Sequence, residues 1–304
     1  MFKLIHWAVS GLLTSYAFGK LSGIITGNSV AITSSILLYS FPFPLIIKSI
    51  SNSSTGSSFG IPHCVEVPEK IIIGSLIMME AVSYYAGPSD IVIKLLIVPA
   101  SIVSVMFPEY NRLNSGDDFQ IKMFNNINTS ILLIMGLFVL LFSIFSTEIF
   151  LYWLGTSFIG KSDIVFQILL IGLLFNPLSW NILSFIQAKG RPDLPSKAHL
   201  IELPIYMFIL IVLTHKYGIF GSALAWTLRM VFDYLLLNGF IHKLNNITLI
   251  FRYLPYQLAA ITFIIIMSNI STGLLIKLAF AIIIVLLHLV LLSKYVQKDY
   301  FLSN

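Results

Sequence analysis

Eight ionisable residues stand in pairs within otherwise apolar stretches of this 304-residue chain. The pairs are Glu69 with Lys70, Asp90 with Lys94, His199 with Glu202, and Arg229 with Asp233. Residues three or four positions apart share one face of a helix, whereas adjacent residues point in different directions. Ionisable groups inside apolar helices are costly, face protein or water, and mark sites that bind or move polar ligands, ions or protons. These eight residues are therefore the candidate substrate-binding residues.

Two interpretations of the pairs remain open. Asp90 with Lys94, and Arg229 with Asp233, are each four residues apart, so each pair can neutralise itself and merely tolerate burial. Alternatively, three charged helices converge on one water-filled, partly cationic cavity, which explains the pairs together. For His199 taken alone, a ring that reaches the interface from a helix end is favoured over a proton relay.

The composition indicates a membrane protein. Hydrophobic residues make up 57% of the chain and charged residues 10%, against about a quarter charged in soluble domains. This excludes a soluble two-domain protein, and the ample apolar surface excludes disorder. The single cysteine, Cys64, excludes an internal disulfide and a thiolate metal cluster. The net charge of +5 favours loops that face anionic lipid headgroups over a nucleic-acid surface.

A bilayer crossing needs about 20 apolar residues, and seven stretches after residue 80 qualify. They are Ala81–Phe107, Met123–Thr147, Ile164–Ala188, Ala198–Thr214, Gly218–Ile241, Tyr253–Ile276 and Leu274–Ser293. Upstream, Leu4–Phe18 and Val30–Ile47 can each cross, and Val67–Met79 is apolar but short. The sequence therefore predicts an all-α polytopic membrane protein with about 8–10 transmembrane helices.

Prolines and small residues mark places where these helices bend or pack closely. Pro88 and Pro99 interrupt the first of the seven stretches, Pro177 lies in the third and Pro204 in the fourth. Gly218, Gly221, Ala223 and Ala225 offer small residues for tight helix contact.

The distribution of Lys and Arg predicts the orientation. Nine lie in the loops of one side and two in those of the other, and the richer side is cytoplasmic. The loops around Arg112, Arg191 and Lys243 and the C-terminus are therefore expected in the cytoplasm.

Enzymatic motifs are missing from the sequence. It contains no HExxH, GxSxG, Walker or GxGxxG motif and no paired carboxylates beside a nucleophile. A membrane enzyme would need a large extracytoplasmic loop, and none of the loops is long enough. We expect a protein that is not an enzyme and that has neither a cofactor nor a metal site.

Three groups of residues carry a resemblance to a known family. The longest runs from Gly190-Arg191-Pro192-Asp193 through His199, Glu202, Pro204 and Tyr206, and continues with Gly218, Gly221, Ala225-Trp226, Arg229 and Asp233. The second contains Tyr84-Tyr85-Ala86, Asp90, Lys94, Pro99 and Phe107-Pro108, and the third Trp153-Leu154-Gly155 with Phe158. From about Val67 onward the chain resembles the polysaccharide transporter family, and more narrowly a Wzx-type repeat-unit flippase of the multidrug/oligosaccharidyl-lipid/polysaccharide superfamily.

The resemblance implies a two-lobed, all-helical flippase of the bacterial cytoplasmic membrane that works with other polysaccharide assembly proteins. Its cargo would be an oligosaccharide on a polyprenyl diphosphate carrier. Residues 67–304 would form the C-terminal lobe and the terminal helix pair, and most of an N-terminal lobe would be missing. Residues 1–66 hold weakly matched apolar segments and a Ser/Asn/Gly tract.

The resemblance also assigns roles to the ionisable residues. Lys94, Arg229 and Lys70 would hold the phosphates, while Asp90, Asp233 and Glu202 would hydrogen-bond the sugars. Glu69 with Lys70 takes the place of the family's acidic–basic dipeptide. Two alternatives remain: a non-transporting fragment of such a protein, or a polymerase or acyltransferase of the same pathway.

Overall fold

The computed structural model describes residues 67–112, 118–245, 250–269 and 273–303, and all structural statements concern these residues. They form eleven α-helices and one short 3-10 turn, Thr156–Phe158. The helices are α1 (Val67–Leu76), α2 (Met79–Leu95), α3 (Ile97–Arg112), α4 (Asp118–Ile144), α5 (Ser146–Leu154), α6 (Ser162–Gly172), α7 (Asn176–Ala188), α8 (Asp193–Tyr217), α9 (Ile219–Asn245), α10 (Ile250–Asn269) and α11 (Leu274–Ser303). The predicted all-α fold is confirmed, since these ranges contain no strand.

Six helical stretches within the described ranges are long and apolar enough to cross a membrane. They are Met79–Arg112, Phe119–Ile144, Ser162–Ala188, Asp193–Tyr217, Ile219–Leu244 and Leu274–Leu291. The predicted polytopic membrane architecture is thereby confirmed. The two predicted crossings Leu4–Phe18 and Val30–Ile47 lie outside the described residues.

The predicted span Tyr253–Ile276 is too long. The apolar helix covers Tyr253–Met267, α10 ends at Asn269, and α11 begins at Leu274. The physical reason is in the sequence between them, because Ser268, Asn269 and Gly273 belong to a short polar run whose residues favour turns over helix interiors.

Two of the long stretches are interrupted near prolines. Met79–Arg112 breaks at Leu96, and Pro99 lies in the first turn of α3; Pro177 lies in the first turn of α7. A proline has no N–H, and the first turn of a helix leaves its N–H groups without intrahelical partners, so proline fits there. Pro88 and Pro204, in contrast, lie inside continuous helices.

The core lies between α6, α7 and the faces of α4 and α9. Phe166, Ile182, Phe185 and Ala223 are all fully buried there. The outward faces of α8 and α11 instead expose large apolar side chains, with Phe208 70% and Leu275 83% exposed. Such faces suit a lipid environment, where an exposed apolar side chain has no cost.

The α8–α9 hairpin depends on two glycines. Gly218 joins the helices with φ +63°, a left-handed conformation that glycine adopts readily. A Cβ on Gly221 would overlap the backbone carbonyl of Leu213, so the two helices are in backbone contact there. The predicted tight contact is confirmed at Gly221.

We expect Gly221→Ala to destabilise the protein, because the added methyl group must push α8 and α9 apart. The matched control is Gly239→Ala on the same helix, where a Cβ meets nothing within 4 Å. That substitution should be neutral or stabilising by up to about 1 kcal/mol through helix propensity. Thermal unfolding of the purified variants in detergent measures both. Equal melting temperatures for the two alanine variants would contradict the close contact.

Candidate functional site

The loop before α8 determines where that helix starts, and hence where the polar residues of α8 lie. Gly190, with φ +74°, follows α7 in the left-handed conformation. The Arg191 Nε–H donates to Asp193 Oδ1 at 3.0 Å across the first residues of α8. Lys197 adds a weaker contact to the same carboxylate, at 3.5 Å. From this start, His199, Glu202 and Tyr206 follow at helical spacing on one face of α8.

An interhelical ion pair joins α8 to α9. The Arg229 Nε–H donates to Glu202 Oε1 at 2.8 Å, and the two side chains are 14% and 3% exposed. The other oxygen, Oε2, lies 3.1 Å from His199 Nδ1. Arg229 therefore pairs with Glu202 of the neighbouring helix. The self-neutralising interpretation had instead required a pair with Asp233 of the same helix.

Asp233 is the fourth residue of this group, and one of its carboxylate oxygens makes no hydrogen bond to a described residue. Its Oδ1 lies 3.9 Å from His199 Nδ1. This oxygen atom is buried and has no hydrogen-bond partner among the residues that the structure describes. The residue as a whole is 8% exposed. His199 is the most accessible member, since 31% of its side chain is exposed.

Tyr206 extends the network to α1. Its hydroxyl donates to Glu69 Oε1, and Glu69 is 1% exposed. The Arg229 guanidinium carbon lies 5.0 Å from the centre of the Tyr206 ring, which is the range of a cation–π interaction. Tyr206 was not among the site residues predicted from the sequence, although its position four residues after Glu202 was an available signal.

These contacts define one buried polar network, formed by Glu69, His199, Glu202, Tyr206, Arg229 and Asp233. It contains three carboxylates against one guanidinium and one imidazole. The network therefore carries more acidic than permanently cationic groups, whereas one of the two interpretations of the sequence was a partly cationic cavity. Arg229 still offers its two terminal nitrogens, which make no hydrogen bond to any described residue.

The remaining predicted residues lie apart from the network. Lys70 Nζ pairs with Asp90 Oδ1 at 2.9 Å and so joins α1 to α2, with side chains 33% and 50% exposed. Lys94 is exposed, and no ion pair joins it to Asp90 in the described part of the chain. Asp90 thus pairs with Lys70 of α1 and not with Lys94, which lies four residues away on its own helix.

A second set of polar contacts ties α11 to the bundle. Lys277 Nζ lies 2.7 Å from Glu148 Oε1. His288 is 1% exposed and lies 2.7 Å from the Tyr256 hydroxyl. These contacts hold α11 against α5 and α10.

The chain is similar to a protein of Shigella flexneri described as "Putative O-antigen transporter", with 29% identity over 173 residues. The matched part makes up 56% of this chain and 40% of that protein, so the chain spans less than half the length of the relative it matches. No protein-family model and no solved structure matches the chain.

Proposed function

We propose that this chain is part of a transporter that moves a polyprenyl-diphosphate-linked oligosaccharide repeat unit across the bacterial cytoplasmic membrane. The similarity to an O-antigen transporter and the six membrane-length helical stretches support a polysaccharide transporter. The relative's description also names transport, which favours a protein that is not an enzyme. Lipid-linked glycan is the cargo class that this similarity suggests.

The observation that carries the proposal is the hydrogen bonding of the Arg229 guanidinium. Its Nε is bonded to Glu202, which fixes the plane of the guanidinium, while neither terminal nitrogen is hydrogen-bonded to a residue that the structure describes. A planar fork of N–H donors matches a pair of phosphate oxygens. A diphosphate cannot cross hydrocarbon unaided, so a cation held inside a membrane helix supplies the contact that it needs.

The other site residues take roles that follow from their position. Lys70 and Lys94 are more exposed cations that the diphosphate meets outside the buried network. Asp90 accepts hydrogen bonds from sugar hydroxyls beside Lys70, as does Asp233 within the network, where the two oxygens of Glu202 already face Arg229 and His199. Glu69 and His199 hold the network together through Tyr206 and Glu202.

Because the chain spans 40% of its relative, we propose that transport requires further segments that complete the pathway. That same coverage favours a second candidate, in which this chain by itself does not transport. In either case the C-terminus and the loops rich in Lys and Arg face the cytoplasm, where they meet anionic lipids and the assembly proteins that make the repeat unit.

The test is deletion of the coding sequence in its native host, with complementation by the 304-residue chain. Loss of a transporter should remove the surface glycan and leave lipid-linked repeat units inside the cell, as seen by mass spectrometry of extracted lipids. Loss of a polymerase would instead leave single repeat units on the surface. Failure of the chain to restore the glycan would support the non-transporting candidate, and an unchanged glycan after deletion would exclude the transporter.

A further inference from the structure

We propose that His199, Glu202 and Asp233 form a binding site for a divalent transition-metal ion such as Zn²⁺ between α8 and α9. The inference goes beyond the proposed function and does not depend on which cargo is moved. It rests on the positions of three side-chain atoms, on an oxygen without a partner, and on the charge around them.

The three atoms are already close together. His199 Nδ1 lies 3.1 Å from Glu202 Oε2 and 3.9 Å from Asp233 Oδ1, and one ligand atom from each of the three residues lies within 4.8 Å of the other two. Ligand atoms about 2.0–2.2 Å from a tetrahedral zinc ion are about 3.3–3.6 Å apart. Closing the site around an ion therefore requires the Asp233 carboxylate to move closer to His199 Nδ1.

The partnerless oxygen of Asp233 is the independent observation that points to a ligand. A buried carboxylate oxygen without a hydrogen bond is unfavourable. Asp233 Oδ1 makes no full hydrogen bond within the described ranges, and the Ser179 hydroxyl gives the carboxylate only a weak contact. It faces His199 Nδ1 at 3.9 Å, which is too long for a hydrogen bond. A metal ion bound between the two atoms would satisfy the Asp233 oxygen and would replace the contact of His199 Nδ1 with Glu202.

The charges favour a cation at this position. Glu202 and Asp233 bring two carboxylates, and the neighbouring guanidinium of Arg229 donates to Glu202 Oε1. That bond leaves Oε2 directed at the site and orients the carboxylate, as groups behind metal ligands commonly do. One negative charge remains for the ion to balance.

The ligand set selects the kind of ion. One imidazole nitrogen with two carboxylate oxygens suits Zn²⁺, Mn²⁺ or Fe²⁺, whereas Na⁺ and Ca²⁺ prefer oxygen ligands alone. His199 would bind through Nδ1 as the neutral tautomer, with its hydrogen on Nε2. The exposed 31% of its side chain gives the ion a route into the site, and open positions remain for water or a ligand oxygen.

Cobalt(II) provides the test, because its visible absorption reports both binding and geometry. The full 304-residue chain is titrated with Co²⁺ in lipid nanodiscs, and Zn²⁺ is then added as a competitor. We expect one ion per chain, displaced by Zn²⁺ and unaffected by excess Na⁺. His199→Gln and Asp233→Asn should each weaken binding at least about tenfold, the range seen when groups supporting a metal are lost.

His242→Gln is the matched control, since His242 is an exposed histidine of α9 outside the site; its affinity should equal that of the parent chain. His199→Gln keeps the test decisive if Asp233→Asn does not fold, because His199 is partly exposed and its replacement should be tolerated. Unchanged binding in His199→Gln, an equal loss in His242→Gln, or the absence of Co²⁺ absorption would each overturn the proposal.

Discussion

Replacing Arg229 by methionine is expected to abolish export of the surface glycan. The variant loses both terminal nitrogens, and each charge-assisted hydrogen bond is worth about 1.5–3 kcal/mol. Loss of two such bonds to the diphosphate corresponds to a fall in transport of roughly 100-fold or more. Gel analysis of the glycan, with immunoblots of the membrane fraction, measures export relative to the amount of protein.

The same substitution also destabilises the fold, so a second variant must separate the two effects. Arg229→Met leaves Glu202 buried without its guanidinium, and breaking a buried pair in this way costs about 3–5 kcal/mol. Combining it with Glu202→Gln removes both charges, which should recover much of the stability. Export should stay abolished in the double variant, because the phosphate ligand is still missing.

An exposed arginine supplies the control for Arg229. Arg112 lies at the end of α3, pairs with Glu109 at 2.9 Å, and has a side chain that is 76% exposed. Arg112→Met should therefore leave export and stability unchanged, since exposed pairs contribute little. Recovery of export together with stability in the Arg229→Met, Glu202→Gln variant would show that Arg229 acts only as a structural partner of Glu202.

The fold could be predicted well from the sequence where apolar length decides the outcome. A charge-free run such as Met123–Thr147 can satisfy its backbone only as a helix, and its counterpart Phe119–Ile144 is one of the six long stretches. The end of α10 at Asn269 was missed, because apolar residues continue on both sides of the polar run. Span length alone therefore placed the helix but not its end.

Partner choice in the site could not be predicted in the same way. The spacing of Arg229 and Asp233 shows that they share a helix face, but it gives no information about which residues of another helix meet that face. In the structure the neighbouring residue is Glu202, and at the other pair Lys70 displaces Lys94 as the partner of Asp90. Such choices depend on how the helices are rotated and packed, which a single sequence does not encode locally.

The second large effect is expected at Tyr206. Tyr206→Phe keeps the ring beneath Arg229 but removes the hydroxyl that donates to Glu69. Glu69 is 1% exposed, and weakening the solvation of a buried carboxylate costs about 1–3 kcal/mol. We expect a melting temperature lower by roughly 3–10 °C, with a smaller loss of export than in Arg229→Met.

A double-mutant cycle with Glu69→Gln assigns this loss to the hydrogen bond. The glutamine is neutral and tolerates the missing donor, so Tyr206→Phe should cost much less in that background, giving a coupling energy of about 1 kcal/mol or more. Tyr217→Phe is the control, because Tyr217 lies on the same helix and is 51% exposed. Additive effects of Tyr206→Phe and Glu69→Gln would show that α1 is held to α8 by packing alone. A measured coupling would establish that the charge on Glu69 in α1 is stabilised by the Tyr206 hydroxyl of α8.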